Sequence, residues 1–242
     1  MHKITVGWMY PDLLNLHGER GSVQALVEIG KNLGIQVEIR KIRDFDDPIP
    51  FDELDMLIFL PGEIAVFPAI MAGLRTQRAA LDKYLCDGGH LLAIGTTGLM
   101  FGRSVLREDG SVLECLGYLD MTAKERKYVW GDDLHFRLLD TKQELVGSQI
   151  QMADVEANAP LGRTIYGMGN NNSGAEGCRN GNLIYTNCLG PLFVINPWFA
   201  ESLLKDICLK KFLGIAQIAP TEIATNSFES SLRFIAAKPK KA

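Results

Sequence analysis

The stretch "LLAIGTTGLMFG" (91–102) decides the fold. Its first part, with His90 before it, is a short unbroken apolar run, the signature of a strand covered on both faces. Gly95-Thr96-Thr97-Gly98 then makes a tight turn, and the residues after it read as the start of a helix. In many α/β enzymes a strand–turn–helix junction of this kind presents the catalytic nucleophile. Here a threonine at the tip would serve only with a base beside it. The same backbone could offer N–H groups to an anion at a helix N-terminus. It could equally be a close turn that needs glycine for space.

Working outward, strand-like runs at 3–9, 35–42, 55–60 and 90–95 alternate with helical patterns at 19–33 and 67–86. Such alternation with short connections predicts a parallel sheet with helices on both faces. Ligands in these folds sit beyond the carboxyl ends of the strands. One such end is the junction at 95–102; the other is "LPGEIAVF" (60–67). Gly62 permits a tight turn with an exposed N–H, whereas Pro61 has no N–H to give. Glu63 is a candidate acid or base, or a solvated strand-end carboxylate.

The second half has a different texture. "ECLGYLDM", "KYVWGDD", "LHFRLLD" and "VGSQIQMAD" read as short antiparallel strands, an extension to the parallel sheet. "GMGNNNSGAEGCRNGN" (167–182) reads as a long exposed loop, either a lid or plain surface. A strand and turn follow at 183–191, then an amphipathic helix at 196–214. No repeat or linker appears, so we expect one domain over 1–214 and a tail over 215–242. Cys188 is a small core residue or, with a cationic neighbour, a reactive thiol.

The bulk numbers narrow the function classes. The chain has 242 residues, is 47% apolar and 22% charged, and carries a formal charge of −4. It has no basic face for a nucleic acid, and "AKPKKA" reads as a frayed, solvated tail. No apolar run reaches the roughly 18 residues of a membrane span. The five cysteines form no C-x-x-C and the four histidines no ligand pattern, so neither metal, disulfide framework nor cofactor is expected. Reduced thiols in the cytoplasm are the default.

Several segments together resemble class I glutamine amidotransferases of the cobyric-acid-synthase type, and among them the GatD-type subunits of lipid II isoglutaminyl synthase. "YPDLLNLHGERGSVQAL" (10–26) is similar to that group's "YPDLL…YGD.GN…L". "LGRTIYGMGNNNSGAEG" (161–177) resembles "G.GNN..D..EG", and "VLECLGYLDM" resembles "LEGLG.LD". "GNLIYTNCLGPLFVINPWFAESLL" (181–204) resembles "GN.IGTYLHGP.L..NP…..LL". The resemblance spans roughly residues 3–210 and implies a three-layer, flavodoxin-like fold, mostly parallel with an antiparallel extension. It also implies a chemistry. An elbow cysteine attacks the glutamine amide, a histidine acts as base and acid, and a glycine-rich loop holds the oxyanion. Ammonia then passes to a Mur-ligase-like (MurT-type) partner that uses ATP.

The catalytic positions have changed in this chain. The family elbow "G-x-C-G-G-Y-Q-x-L-G" corresponds to "AIGTTGLMFG", which puts Gly95 at the cysteine and Leu99 at the glutamine. The histidine of "YLHGP" falls on Leu189. "GGG" becomes Leu60-Pro61-Gly62, and "GYEIHMG" becomes "GSQIQMA" (147–153), turning its Glu and His into Gln149 and Gln151. A thiolate route needs a thiol and a base. The implied protein is therefore a pseudo-amidotransferase with vestigial positions Gly95 and Leu189, still pairing with a Mur-ligase-like subunit. Its expected cleft comprises Gly62, Glu63, Gly95, Thr96, Thr97, Gln149, Gln151 and Cys188. Two other readings stand beside it: a small-molecule site or new chemistry in the old cleft, and a glutaminase with its cysteine relocated to Cys188 or Cys178.

Overall fold

The computed structural model describes residues 2–45, 47–211 and 222–238. In chain order, the first half places β1 at His2–Met9, α1 at Arg20–Asn32, β2 at Ile35–Ile42 and β3 at Met56–Phe59. It continues with α2 at Phe67–Thr76, α3 at Arg78–Cys86, β4 at His90–Ile94, β5 at Ser104–Leu106 and β6 at Val112–Glu114. Then come β7 at Met121–Leu138, β8 at Glu144–Ala157, β9 at Gly162–Tyr166, β10 at Ala175–Glu176, β11 at Cys178–Asn180 and β12 at Leu183–Thr186. The helices α4 (Leu192–Ile195), α5 (Pro197–Lys210) and α6 (Glu222–Ala236) complete the described chain.

The main sheet has the order β11-β12-β4-β3-β1-β2. All its neighbours are parallel except the β11–β12 pair. Alternation along the strands sorts side chains to two cores. Met56, Ile58, Leu92, Ile94 and Ile184 face the layer of α1, α4 and α5, meeting Val23, Leu26, Phe193 and Leu203. Leu57, Phe59, Leu91, Ala93 and Tyr185 face the other layer, meeting Ile70 and Met71 of α2 and Leu81 and Tyr84 of α3. Both faces are dry, which is why these strands read as unbroken apolar runs. This is the three-layer arrangement expected, in a flavodoxin-like strand order that opens a crevice at the carboxyl ends.

Three local expectations are corrected. The single helix predicted over 67–86 is two helices, broken at Gln77. The side chain of Gln77 accepts the Ile49 N–H (2.7 Å) and donates to the Asp47 carbonyl (3.2 Å), a long-range anchor invisible to helical periodicity. The residues after Ile94 form a 3-10 stretch, Gly95–Phe101, rather than an α-helix. The following segment braces it: Leu116, Gly117 and Leu119 donate their N–H groups to the carbonyls of Met100, Gly102 and Phe101. The extension is built on two long strands, β7 of 18 residues and β8 of 14, rather than on several short ones. A register shift between Glu125 and Trp130 bends the pair.

The loop predicted over 167–182 is not exposed throughout. It contains β10 and β11, and Asn170, Glu176 and Cys178 are buried. The predicted tail is partly helical. α6 lies against α4, β7 and β8, with Ile235 buried and Phe228 in edge-on contact with Trp198 at 4.4 Å. Its apolar residues Phe228, Leu232 and Ile235 fall at helical spacing, and packing on the finished sheet seats it. Lys238, predicted to be solvated, is ion-paired to Asp132 and Asp133. Residues 212–221 and 239–242 lie outside the described part. No helix among the described residues is long and apolar enough to cross a membrane.

Candidate functional site

Parallel pairing of β3 and β4 brings their carboxyl ends side by side, with Phe59 opposite Ala93. The chain leaves β4 through Gly95 at φ +68°, a conformation that disfavours any side chain. A Cβ on Gly95 would stand 2.9 Å from Pro61 Cγ and 3.1 Å from Leu189 Cδ2. Gly95 and Leu189 therefore face each other, and the space between them is filled with apolar carbon.

The neighbouring hydroxyls are committed. Thr96 Oγ1 donates to the Gly62 carbonyl and accepts the Gly62 N–H at 3.2 Å. Thr97 is fully buried, and its Oγ1 donates to the carbonyls of Ile94 (2.9 Å) and Phe59 (3.3 Å). Neither has a base within its bonds, so neither is poised for nucleophilic attack. The Gly62 N–H, the donor that the β3 turn could still offer an oxyanion, is taken by Thr96. Leu14 closes over the same turn: a Cβ on Gly62 would sit 2.3 Å from Leu14 Cδ2. Leu16 N–H bonds to the Pro61 carbonyl at 3.0 Å, which fixes the N-terminal loop there. Glu63 points to solvent at the start of a short 3-10 turn, Ile64–Val66.

Gln149 and Gln151 do not join this group. Gln149, buried, donates to the Gly169 carbonyl and accepts the Gly169 N–H, both at 3.1 Å, so it clamps the loop after β9. Gln151 reaches Asp154 at 3.5 Å, also within the extension. Cys188 is fully buried, and a Cβ on Gly147 would lie 2.6 Å from its Sγ. Burial, with the Glu176 and Glu19 carboxylates, pushes its thiol well above the usual range. Burial pushes the Cys178 thiol up as well. A buried, protonated thiol is a poor nucleophile. His90 lies at the opposite, amino end of β4, and His135 lies in the extension, 2.9 Å from Glu144. Among the described residues no group of three or more His, Cys, Asp or Glu could hold a metal ion.

Two buried carboxyls shape the site and were missed by sequence reasoning. Glu19 has no exposed surface and holds the strap that carries Leu189. It accepts the N–H of Gly190 (2.5 Å), the N–H of Leu192 (3.2 Å) and the hydroxyl of Ser22 (2.9 Å). The strap is held from its other side by Ser148, whose backbone pairs with that of Leu189 at 2.8 and 3.0 Å. Glu176 is also fully buried; one oxygen accepts the Thr186 hydroxyl (2.9 Å) and the Asn187 N–H (2.7 Å). Its other oxygen has no partner among the described residues. Burial pushes the Glu176 carboxyl up to about 7. Both residues lie inside the quoted segments 10–26 and 161–177, but a charged residue in a loop-like run carries no local sign of burial.

The fold is glutamine amidotransferase-like. A crystal structure of a glutamine amidotransferase superposes with a TM-score of 0.52 at 16% identity, covering 84% of this chain and 98% of that one. In sequence the chain is GatD-like. It is 27% identical over 213 residues to the lipid II isoglutaminyl synthase (glutamine-hydrolyzing) subunit GatD of Staphylococcus aureus (strain N315), covering 87% of each chain. It is 24% identical over 218 residues to the subunit of the same name from Streptococcus pneumoniae (strain ATCC BAA-255 / R6), covering 87% of this chain and 83% of that one. No family model matches the chain.

Proposed function

We propose that this protein is a non-catalytic, GatD-like subunit that pairs with a Mur-ligase-like synthetase in the cytoplasm, as one domain over 1–214 with an appended segment. In this reading it is a scaffold or allosteric element of a ligase that takes free ammonia or another amine. One observation carries the non-catalytic part. At the elbow a glycine with φ +68° faces a leucine, and the Gly62 N–H of the β3 turn is already bonded to Thr96. Covalent amide hydrolysis needs a nucleophile and a proton carrier; Gly95 and Leu189 supply neither. The pairing part is supported by the likeness to proteins named as subunits of lipid II isoglutaminyl synthase. It is also supported by retention of the N-terminal segment, whose Glu19, Leu14 and Leu16 all serve the site's frame.

The test has two arms. The purified chain, given glutamine, should release no ammonia above the uncatalysed rate. Coexpressed with the Mur-ligase-like protein of its own genome, it should elute as a complex on size exclusion. Glutamine-dependent ammonia release abolished by Cys188→Ala would overturn the first arm. Separate elution of the two proteins would overturn the second.

A further inference from the structure

Behind α6 the structure holds a cavity of about 910 Å³, bounded by β7, β9 and the helix. Trp130, Ile165, Tyr166 and Met168 line it on the sheet side, and Leu232 and Ile235 on the helix side. This is within the size range of small-molecule sites, which are mostly apolar with a few placed polar groups. Its polar side chains are Asp132, His135, Glu144, Asn172 and Lys238, beside the Tyr166 hydroxyl. Asp132, with a side chain 8% exposed, lines the cavity, whereas Asp133, next to it on β7, borders a second, smaller pocket with Phe234. Tyr166 Oη donates to Asp132 Oδ2 at 3.4 Å and the Asp133 N–H to Asp132 Oδ1 at 2.9 Å.

Beside Asp132 the structure already holds an ammonium group. Lys238 Nζ lies 3.0 Å from Asp132 Oδ1 and is ion-paired to Asp133. It also stands 5.6 Å from the centre of the Tyr166 ring and 5.2 Å from that of Phe234. Two carboxylates and two ring faces around one cation form the cage that selects a charged amine over a neutral group. Asp132, Asp133 and Tyr166 sit on paired strands of the sheet, so these three keep their places without Lys238, whereas Phe234 is carried by α6. Lys238 itself is on the turn after α6, with a side chain 26% exposed, so it has a path out to water.

We propose that this cavity is a binding site for a small amine, a primary ammonium on a flat apolar body, and that Lys238 is its resident occupant. The ammonium takes the place of Lys238 Nζ between the two carboxylates. The apolar body lies in the adjoining cavity against Trp130 and Met168. Affinity in the intact chain is limited by competition with the tethered lysine, which reduces the fraction of binding-competent sites.

Tryptamine is a suitable probe, with tryptophol as its uncharged counterpart. Binding is read from the indole N–H signals of Trp8, Trp130 and Trp198 in nitrogen-15 NMR, with Trp130→Phe assigning the reporter. The Trp130 signal should move with tryptamine and not with tryptophol. Lys238→Gln should tighten tryptamine binding about tenfold by removing the competitor. Asp133→Asn, in which the fold is checked from the unmoved Trp8 signal, should weaken it. Equal shifts with tryptophol, an unchanged affinity in Lys238→Gln, or no movement in either chain would overturn the proposal. None of these readouts depends on pairing with a synthetase.

Discussion

Leu189 Cδ2 stands 3.1 Å from where a Cβ on Gly95 would be, across 94 residues of chain. The contact joins the turn after β4 to the strap after β12, and these strands are hydrogen-bonded neighbours. What stands at the elbow is thus an apolar contact, closed on the β3 side by Pro61.

That contact predicts the outcome of a simple repair. Gly95→Cys should restore no glutaminase activity, because the new Cβ meets Pro61 at 2.9 Å and no histidine faces it. It should also destabilise the chain by about 1–3 kcal/mol, from the left-handed backbone and the crowding. Urea unfolding and an ammonia-release assay check both statements. Recovery of activity by this substitution alone would contradict the geometry.

Glu19 should be among the most costly side chains to remove. Glu19→Ala leaves the buried N–H groups of Gly190 and Leu192 without their acceptor. The expected loss is about 2–5 kcal/mol, seen as a lower urea midpoint at unchanged slope. Glu19→Gln, which keeps an acceptor oxygen, should lose less.

Glu176 makes stability depend on pH. Its carboxyl is pushed up to about 7 in the folded chain by burial, from an ordinary value of 4.5. The folded state therefore holds this proton more tightly than the unfolded one. Stability from Glu176 is present below about pH 4.5 and is lost as pH rises to about 7, amounting to about 3 kcal/mol in all. Burial raises the Glu19 carboxyl too, so it adds a slope of the same sign. Glu176→Gln should flatten much of the fall in stability between pH 5 and pH 8. An unchanged slope in urea melts across that range would refute the assignment.

Thiol reactivity should follow burial. Cys86 is exposed and Cys115 half-buried, whereas Cys178, Cys188 and Cys208 are buried. Iodoacetamide on the native chain should label Cys86 first and leave the three buried thiols untouched until urea is added. Mass spectrometry of the peptides resolves the order. Fast native labelling of Cys188 would revive it as a nucleophile.

Much of the frame was legible in the sequence. The strands at 55–60 and 90–95 are covered on both faces, and such burial writes itself as an uninterrupted apolar run. The helical break at Gln77 was not legible, because its cause is a bond to Ile49. Thr96 and Thr97 were correctly placed at the turn, but their bonding partners Gly62 and Phe59 lie more than thirty residues away. Gln149 and Gln151 were assigned to the cleft by alignment alone. The structure turns Gln149 to the Gly169 backbone and Gln151 to Asp154. The helical spacing of Phe228, Leu232 and Ile235 was legible, but their docking was not, because their partners, Trp198 among them, are brought near only by the folded sheet.

The sequence by itself determined the alternation of buried strands and helical stretches in the first hundred residues, and that position 95 carries no thiol and position 189 no imidazole. These are properties of single residues or of local periodicity. Tertiary structure alone decided that Leu189 and Pro61 fill the elbow, that Thr96 takes the Gly62 N–H, and that Glu19 and Glu176 are buried. It also placed Lys238 between Asp132 and Asp133. The reason is physical: periodicity reports which face of an element is dry, while sheet order and long-range closure decide which side chains meet across it.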